Sequence, residues 1–229
     1  MDINSIALDG PSGAGKSTLA RMASKKYGLI YVDTGALYRC VGLYALRNNA
    51  SSRDVREVTA LLPEIELLMQ YDAEGIQRMY LCGEDVTDDI RLPDVSKYAS
   101  DVSAMPPVRD FLLSLQRDMI GKYDVIMDGR DIGTVIMPGA GLKVFLTADL
   151  EVRAKRRYLE LLEKDRAIEY SSVLQDMITR DKNDSERATA PLRASEDSII
   201  LDTTELNLNE SLNALCNLIN AKFGYESKL

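Results

Sequence analysis

Two stretches of this chain carry residues whose types and spacing could do chemistry. The first, Gly10-Pro11-Ser12-Gly13-Ala14-Gly15-Lys16-Ser17-Thr18, fits G-x-x-x-x-G-K-[ST] at every fixed position. Its glycines let the backbone curl until several N–H groups point at one anion. A helix opening at Lys16 adds its unpaired N–H groups and the positive end of its dipole. Such a nest holds the α- and β-phosphates of a nucleotide, Lys16 reaches the β- and γ-phosphates, and the Ser17 hydroxyl is placed to ligate the bridging Mg2+. The second stretch, Tyr123-Asp124-Val125-Ile126-Met127-Asp128-Gly129-Arg130-Asp131, ends an apolar run in Asp128. An acid there orients Mg2+ through its hydration water. Arg130 suits a phosphate, and Asp131 a hydrogen-bond donor on a base or sugar.

Two further blocks bring arginines toward the same end of the molecule. Asp33-Thr34-Gly35-Ala36-Leu37-Tyr38-Arg39 follows an apolar run, and Arg180-Asp181-Lys182-Asn183-Asp184-Ser185-Glu186-Arg187 closes a highly charged segment. An arginine fork holds a phosphate bidentately and in line with a donor, where lysine supplies charge without that geometry. The residues by themselves leave three readings open. They fit a kinase acting on a nucleoside monophosphate, a kinase of another small acceptor, or a regulatory NTPase that couples slow hydrolysis to partner binding.

The elements that must position these residues are legible. Five short apolar runs, at 6–8, 30–32, 125–127, 143–146 and 199–201, read as buried strands. Asp9, Asp33, Asp128 and Asp202 each follow one of them directly. Helical patterns lie between the runs, so the alternation predicts parallel βαβ units with helices on both faces and ligands at the carboxyl ends of the strands. Asp202, before Thr203-Thr204, reads as a turn residue. Val108, Leu112, Leu115 and Met119 mark one helix, and Leu208, Leu212, Leu215 and Ile219 another, with Asn207 and Glu210 at capping-box spacing. Residues 34–105 separate the second strand from the third by more than a crossover helix needs, which predicts an inserted subdomain. Within it, 56–69 reads as helix and 75–83 as strand. Residues 151–187 read as a charged helical hairpin able to fold over bound phosphates.

Composition bounds the rest. The 229 residues are 45% hydrophobic, enough for a sizeable core, and the net charge of −8 argues against a nucleic-acid partner. Histidine is absent, which removes Ser-His-Asp and Cys-His catalysis. Cys40, Cys82 and Cys216 lack metal or disulfide spacing, so a reducing cytoplasm is expected. The start of the chain does not read as a secretory leader, and no run approaches the ~18 apolar residues of a membrane helix. A monomer is the expected state.

With these blocks in hand, the chain closely resembles the bacterial cytidylate kinases, P-loop enzymes of the nucleoside monophosphate kinase group. The resemblance rests on residues 9–16, on Asp33-Thr34-Gly35-Ala36-Leu37-Tyr38-Arg39, on Asp128-Gly129-Arg130-Asp131-Ile132-Gly133-Thr134 and on the R-D-x-x-D-x-x-R run to Arg187 with Ala190-Pro191-Leu192 after it. It implies an α/β fold of P-loop NTPase type: a five-stranded parallel sheet with helices on both faces, an inserted substrate-binding subdomain and a helical lid. Residues 1–33, 106–150 and 188–229 would be the core, 34–105 the monophosphate-binding insert and 151–187 the lid. The implied reaction is ATP + CMP (or dCMP) to ADP + CDP (or dCDP), with Mg2+. Lys16, Asp128, Arg130 and Arg187 would serve catalysis. Gly10 to Thr18, with Arg153 and Arg157 of the lid, would bind ATP. Arg39, Arg130 and Arg187 match positions that bind the acceptor phosphate, and Ser100, Arg109 and Asp131 match those that read cytosine. Thr34 stands near the same pocket, and Arg180 with Asp184 match the pair that addresses the sugar. Asp165 falls where the family often has glycine, a departure at the lid hinge.

Overall fold

The computed structural model describes residues 4–118, 120, 122–163 and 168–225. Met119 and the Asp165 hinge position lie outside the described residues. All five expected strands form one parallel sheet: β1 (Ser5–Asp9), β2 (Ile30–Asp33), β6 (Val125–Gly129), β7 (Leu142–Thr147) and β8 (Ile199–Asp202), in the order β2-β6-β1-β7-β8. Alternation along the strands sends Ile6, Leu8 and Ile126 to one face, against Leu19, Leu215 and Ile219. It sends Ala7, Val32, Val125 and Met127 to the other face, against Ile132 and Ile136. The helices on these faces include α1 (Lys16–Tyr27), α5 (Pro106–Arg117) and α8 (Leu208–Phe223), the last opened by the Asn207/Glu210 capping box.

Registration places three acids side by side at the carboxyl rim. Asp33 on β2 pairs with Asp128 on β6, and Asp9 on β1 pairs with Gly129 next to it. Asp202 instead closes a turn by accepting from the backbone and hydroxyl of Thr204. The expectation of a buried fifth strand needs correction: β8 is an edge, and Ile199 and Ile200 are exposed.

Residues 34–105 form α2 (Thr34–Arg47), α3 (Val55–Leu61), β3 (Leu67–Tyr71), β4 (Gln77–Leu81), β5 (Glu84–Asp85) and α4 (Pro93–Val102), with the three strands in an antiparallel sheet of their own. The single helix expected over 56–69 is corrected here. Pro63 lies in a 3-10 turn, Leu62–Glu64, after which the chain extends into β3. A proline inside a helix would lack the donor and clash with the preceding turn. The small sheet is tied to the large one by side chains. Gln77 accepts from the Asp33 N–H at 2.8 Å and donates to the Asp33 carbonyl at 3.3 Å, while the Tyr71 hydroxyl donates to the Tyr31 carbonyl at 2.9 Å. These bonds satisfy backbone groups of edge strand β2 that the ladder with β6 leaves over. The helical pair expected within 151–187 is α6 (Leu150–Leu162) and α7 (Tyr170–Glu186), packed through Ala154, Leu161, Val173 and Met177.

Candidate active site

The phosphate loop is held by its neighbours before any ligand is considered. Gly10 has φ +149°, and a Cβ there would lie 1.9 Å from the Leu146 carbonyl oxygen, so the loop leaves β1 against the β7 backbone where only glycine fits. Gly15, at φ +92°, precedes α1 with no side-chain cap, and the first turn of α1 holds no acid. No carboxylate of that turn therefore caps the first N–H groups of the helix. Ser12 is braced on both sides: Arg153 donates to its carbonyl at 2.9 Å, and Asp181 accepts from its N–H at 3.4 Å.

A cavity of about 1070 Å³ opens in front of this loop. Ser12, Gly13, Ala14, Gly15, Lys16, Ser17 and Thr18 line one wall, and Arg39, Asp128, Arg130, Arg157 and Arg180 line others. Lys16 is buried and donates to the Pro11 carbonyl at 2.7 Å. Burial, then the nearby Arg130, pushes its ammonium pKa down. Arg39 is held by the Ile90 carbonyl and the Ser96 hydroxyl. Burial, then Arg180, brings the Arg39 pKa down to about 9. Arg180 is brought down to about 10 by burial and by Arg130, and its Nε has no hydrogen-bond partner among the described residues. Arg130 is oriented by Asp184 at 2.7 Å. An anion with several acceptor oxygens is the ligand these groups suit, because it relieves both the mutual repulsion and the unsatisfied donor.

Asp128 lines the same cavity beside Ser17. It accepts from Ser17 Oγ at 2.7 Å and from the Tyr31 hydroxyl at 2.9 Å. Burial and the neighbouring Asp33 raise its pKa to about 6, against the pull of Lys16. Burial also opposes charge on Asp33, but Arg91 at 2.7 Å outweighs it and holds that carboxyl below its usual range. The adjacency of Ser17 and Asp128, hard oxygen donors at the rim of a phosphate loop, fits Mg2+, which takes few protein ligands and keeps waters and phosphates for the rest.

Three of the residues expected on the acceptor side, Arg109, Asp131 and Arg187, gather in a buried charged cluster. Arg109, on α5, pairs with Asp131 and donates to the Ser103 carbonyl, with its guanidinium 5.6 Å from the centre of the Tyr38 ring. Arg187 reaches Asp131 at 3.2 Å and also binds the Ala190 carbonyl and the Ser103 hydroxyl. Ser100 Oγ is buried with no partner among the described residues. Thr34 donates its hydroxyl to the Asp128 carbonyl at 2.8 Å. Thr34, Ser100, Arg109, Asp131, Asp184 and Arg187 are not among the residues lining the cavity, and neither is Arg153, which is buried in contacts with Ala148, Ser12 and Asp181. Arg157, one turn on, does line it. Sequence reasoning missed Tyr31, Arg91, Ser103 and the brace formed by Asp181. Of these only Tyr31 left a mark, as a hydroxyl-bearing residue inside an apolar run.

A sequence model of the cytidylate kinase family matches residues 6–221. The chain belongs to the cytidylate kinase family. It is 47% identical to the cytidylate kinase of Caldicellulosiruptor saccharolyticus, over 96% of this chain and 97% of that one. It is 46% identical to the cytidylate kinase of Carboxydothermus hydrogenoformans, over 95% and 97%. Among solved structures, an uncharacterized protein from Eubacterium ventriosum superposes with a TM-score of 0.52 at 12% identity, over 96% of this chain and 99% of that one, which speaks to the fold alone.

Proposed function

We propose that this cavity divides into a donor side at the phosphate loop and an acceptor side at Arg39, Arg130 and Arg180. As a cytidylate kinase, the chain phosphorylates CMP and dCMP with ATP as co-substrate. The observation that carries the division is that three half-buried arginines, Arg39, Arg130 and Arg180, line one cavity with residues 12–18 of the phosphate loop. A hydrolase that only senses nucleotide has no use for the second set.

On the donor side, Lys16 and the loop N–H groups hold the polyphosphate, with Arg157 of the lid nearby. Ser17 and, through water, Asp128 would hold Mg2+, which would supply neutralisation of charge on the transferring phosphates. On the acceptor side, Arg39 and Arg130 grip the monophosphate, with Arg187 adding charge from behind Asp131. Arg180 and Asp184 address the sugar, while Ser100, Arg109 and Asp131 read the cytosine edge near Thr34. A nucleotide phosphate has a second pKa near ~6 and is largely dianionic at neutral pH, so its oxygen attacks without a protein base. The chain's lack of histidine is therefore no obstacle. Fixed arginines supply alignment and charge stabilisation instead. Closure of the insert, 34–105, and the lid, 151–187, excludes water and limits wasteful hydrolysis. Three free thiols fit a reducing cytoplasm. Among the described residues no helix is long and apolar enough to cross a membrane.

The test is ADP formation from Mg-ATP with CMP, dCMP, UMP, AMP, GMP or no acceptor, in wild type and Arg130→Ala. Fast turnover on CMP and dCMP that falls by roughly a hundredfold or more in the variant, with binding of an ATP analogue retained, is the expected result. Wild-type kinetics in Arg130→Ala would remove it from the acceptor side.

A further inference from the structure

We propose that Asp9 is a positioning residue that registers the acceptor loop against the phosphate loop. The proposal rests on the assignment of Arg130 and Asp131 to the acceptor side. Asp9 is the last residue of β1 and directly precedes Gly10, so its backbone belongs to the donor side. Its carboxylate reaches across the rim to the other side. One oxygen accepts from the Ile132 N–H at 2.8 Å and the other from the Gly133 N–H at 2.7 Å. Those are the two N–H groups that immediately follow Arg130 and Asp131 in the chain.

Both ends of this link are rigid. The Asp9 backbone is registered to Gly129 on β6 and to Phe145 on β7, and the next residue, Gly10, has no room even for a methyl group. On the loop side, a Cβ at Gly133 would lie 3.3 Å from Asp9 Oδ2 and 3.2 Å from the Lys143 stem. Asp9 itself is 4% exposed, so water does not compete for its oxygens. The chemistry calls for a carboxylate. Two backbone donors converge on one side chain, and an amide of the same size can accept from only one of them, turning its own N–H2 toward the other. Any displacement of Ile132 and Gly133 moves Arg130 and Asp131, and with them the line between acceptor oxygen and donor phosphorus. In-line transfer is sensitive to shifts of about 1 Å, which can cost on the order of a hundredfold in rate.

The experiment is steady-state kinetics of Asp9→Asn with acceptor and donor varied separately, beside the Kd of an ATP analogue and the thermal unfolding curve. Expected is a fall of roughly 10- to 100-fold in kcat/KM for CMP, seen in acceptor KM and kcat, with the donor-analogue Kd within about threefold of wild type. A purely structural role would lower the unfolding temperature and the active fraction without this split. Gly133→Ala presses on the same contact from the loop side without changing charge, and it decides the matter if Asp9→Asn does not fold. Unchanged acceptor kinetics in a folded variant, or equal loss on donor and acceptor sides, overturns the proposal. Failure of the acceptor-side assignment would show separately, as wild-type behaviour of Arg130→Ala.

Discussion

The buried cluster of Arg109, Asp131 and Arg187 can be tested as a thermodynamic unit by replacing Arg109 with methionine, which keeps most of the stem and removes the guanidinium. Arg109, Asp131 and Arg187 have side chains only 7%, 6% and 4% exposed, so solvent screens them little. Breaking a buried ion pair by removing one partner costs about 3–5 kcal/mol, and because Asp131 keeps Arg187 the lower end, about 3 kcal/mol, applies here. Loss of the cation–π contact with Tyr38 adds about 1 kcal/mol, for a total of about 4 kcal/mol. Against a typical domain stability of roughly 5–15 kcal/mol this is a large share. Asp131→Asn leaves Arg109 and Arg187 facing each other with no carboxylate between them, so the upper end, about 5 kcal/mol, applies. The double variant leaves Arg187 as the one cation of the cluster without its carboxylate, so its cost should fall short of the sum of about 9 kcal/mol by on the order of 3 kcal/mol. Urea unfolding of the four proteins measures it, with m-values checked for constancy. Losses that add to within about 0.5 kcal/mol would refute the idea that the cluster acts as one unit.

Two further outcomes follow from the rim. Asp128 has its pKa raised from 3.8 to about 6, so its protonated form favours the folded state: that stabilisation is complete below the unfolded pKa and is lost as pH rises through about 6. Asp128→Asn lacks the titration. The melting temperature of wild type minus that of the variant should therefore fall between pH 4 and pH 8, by the equivalent of on the order of 1–3 kcal/mol, whereas parallel curves would rule out the shift. Gly10→Ala forces a Cβ to 1.9 Å from the Leu146 carbonyl oxygen and should cost more than about 3 kcal/mol or abolish folding. Gly15→Ala meets no atom within 4 Å and should cost only about 1–2 kcal/mol, so equal urea midpoints for the two variants would discredit the steric account.

What could be read from the sequence was whatever one local pattern dictates. The phosphate loop, the aspartates ending apolar runs and the capping box at Asn207 each follow from backbone needs within a few residues. The misreadings came where a pattern serves two structures. Val58, Leu61, Leu62, Ile65 and Met69 recur at helical spacing, yet Pro63 stops the helix and the later residues are claimed by pairing with β4, Leu67 opposite Leu81. Arg153 and Arg157 are four apart on α6 and look alike in sequence. Only the tertiary structure sends Arg153 to the Ser12 backbone and Arg157 to the cavity. Ile199 and Ile200 read as core because strand order, which makes β8 an edge, is a non-local property.

A chain of net charge −8 can hold a polyphosphate site because the cations are sorted by the kind of partner that holds them. Arg130, Arg109, Arg187, Arg91 and Arg153 lean on Asp184, Asp131, Asp33 or Asp181, which fixes their direction while cancelling most of their charge locally. Lys16 and Arg39 are held instead by the uncharged oxygens of Pro11, Ile90 and Ser96, and Arg180 keeps an Nε without a partner among the described residues. A neutral acceptor orients a cation without neutralising it, so positive potential survives where these three line the cavity. Surface carboxylates beyond the ~8 Å screening length contribute little there. Arginines held by carboxylates thus supply geometry, and the cations held by carbonyls and hydroxyls supply field. That division lets an acidic protein bind two anionic substrates without a basic exterior.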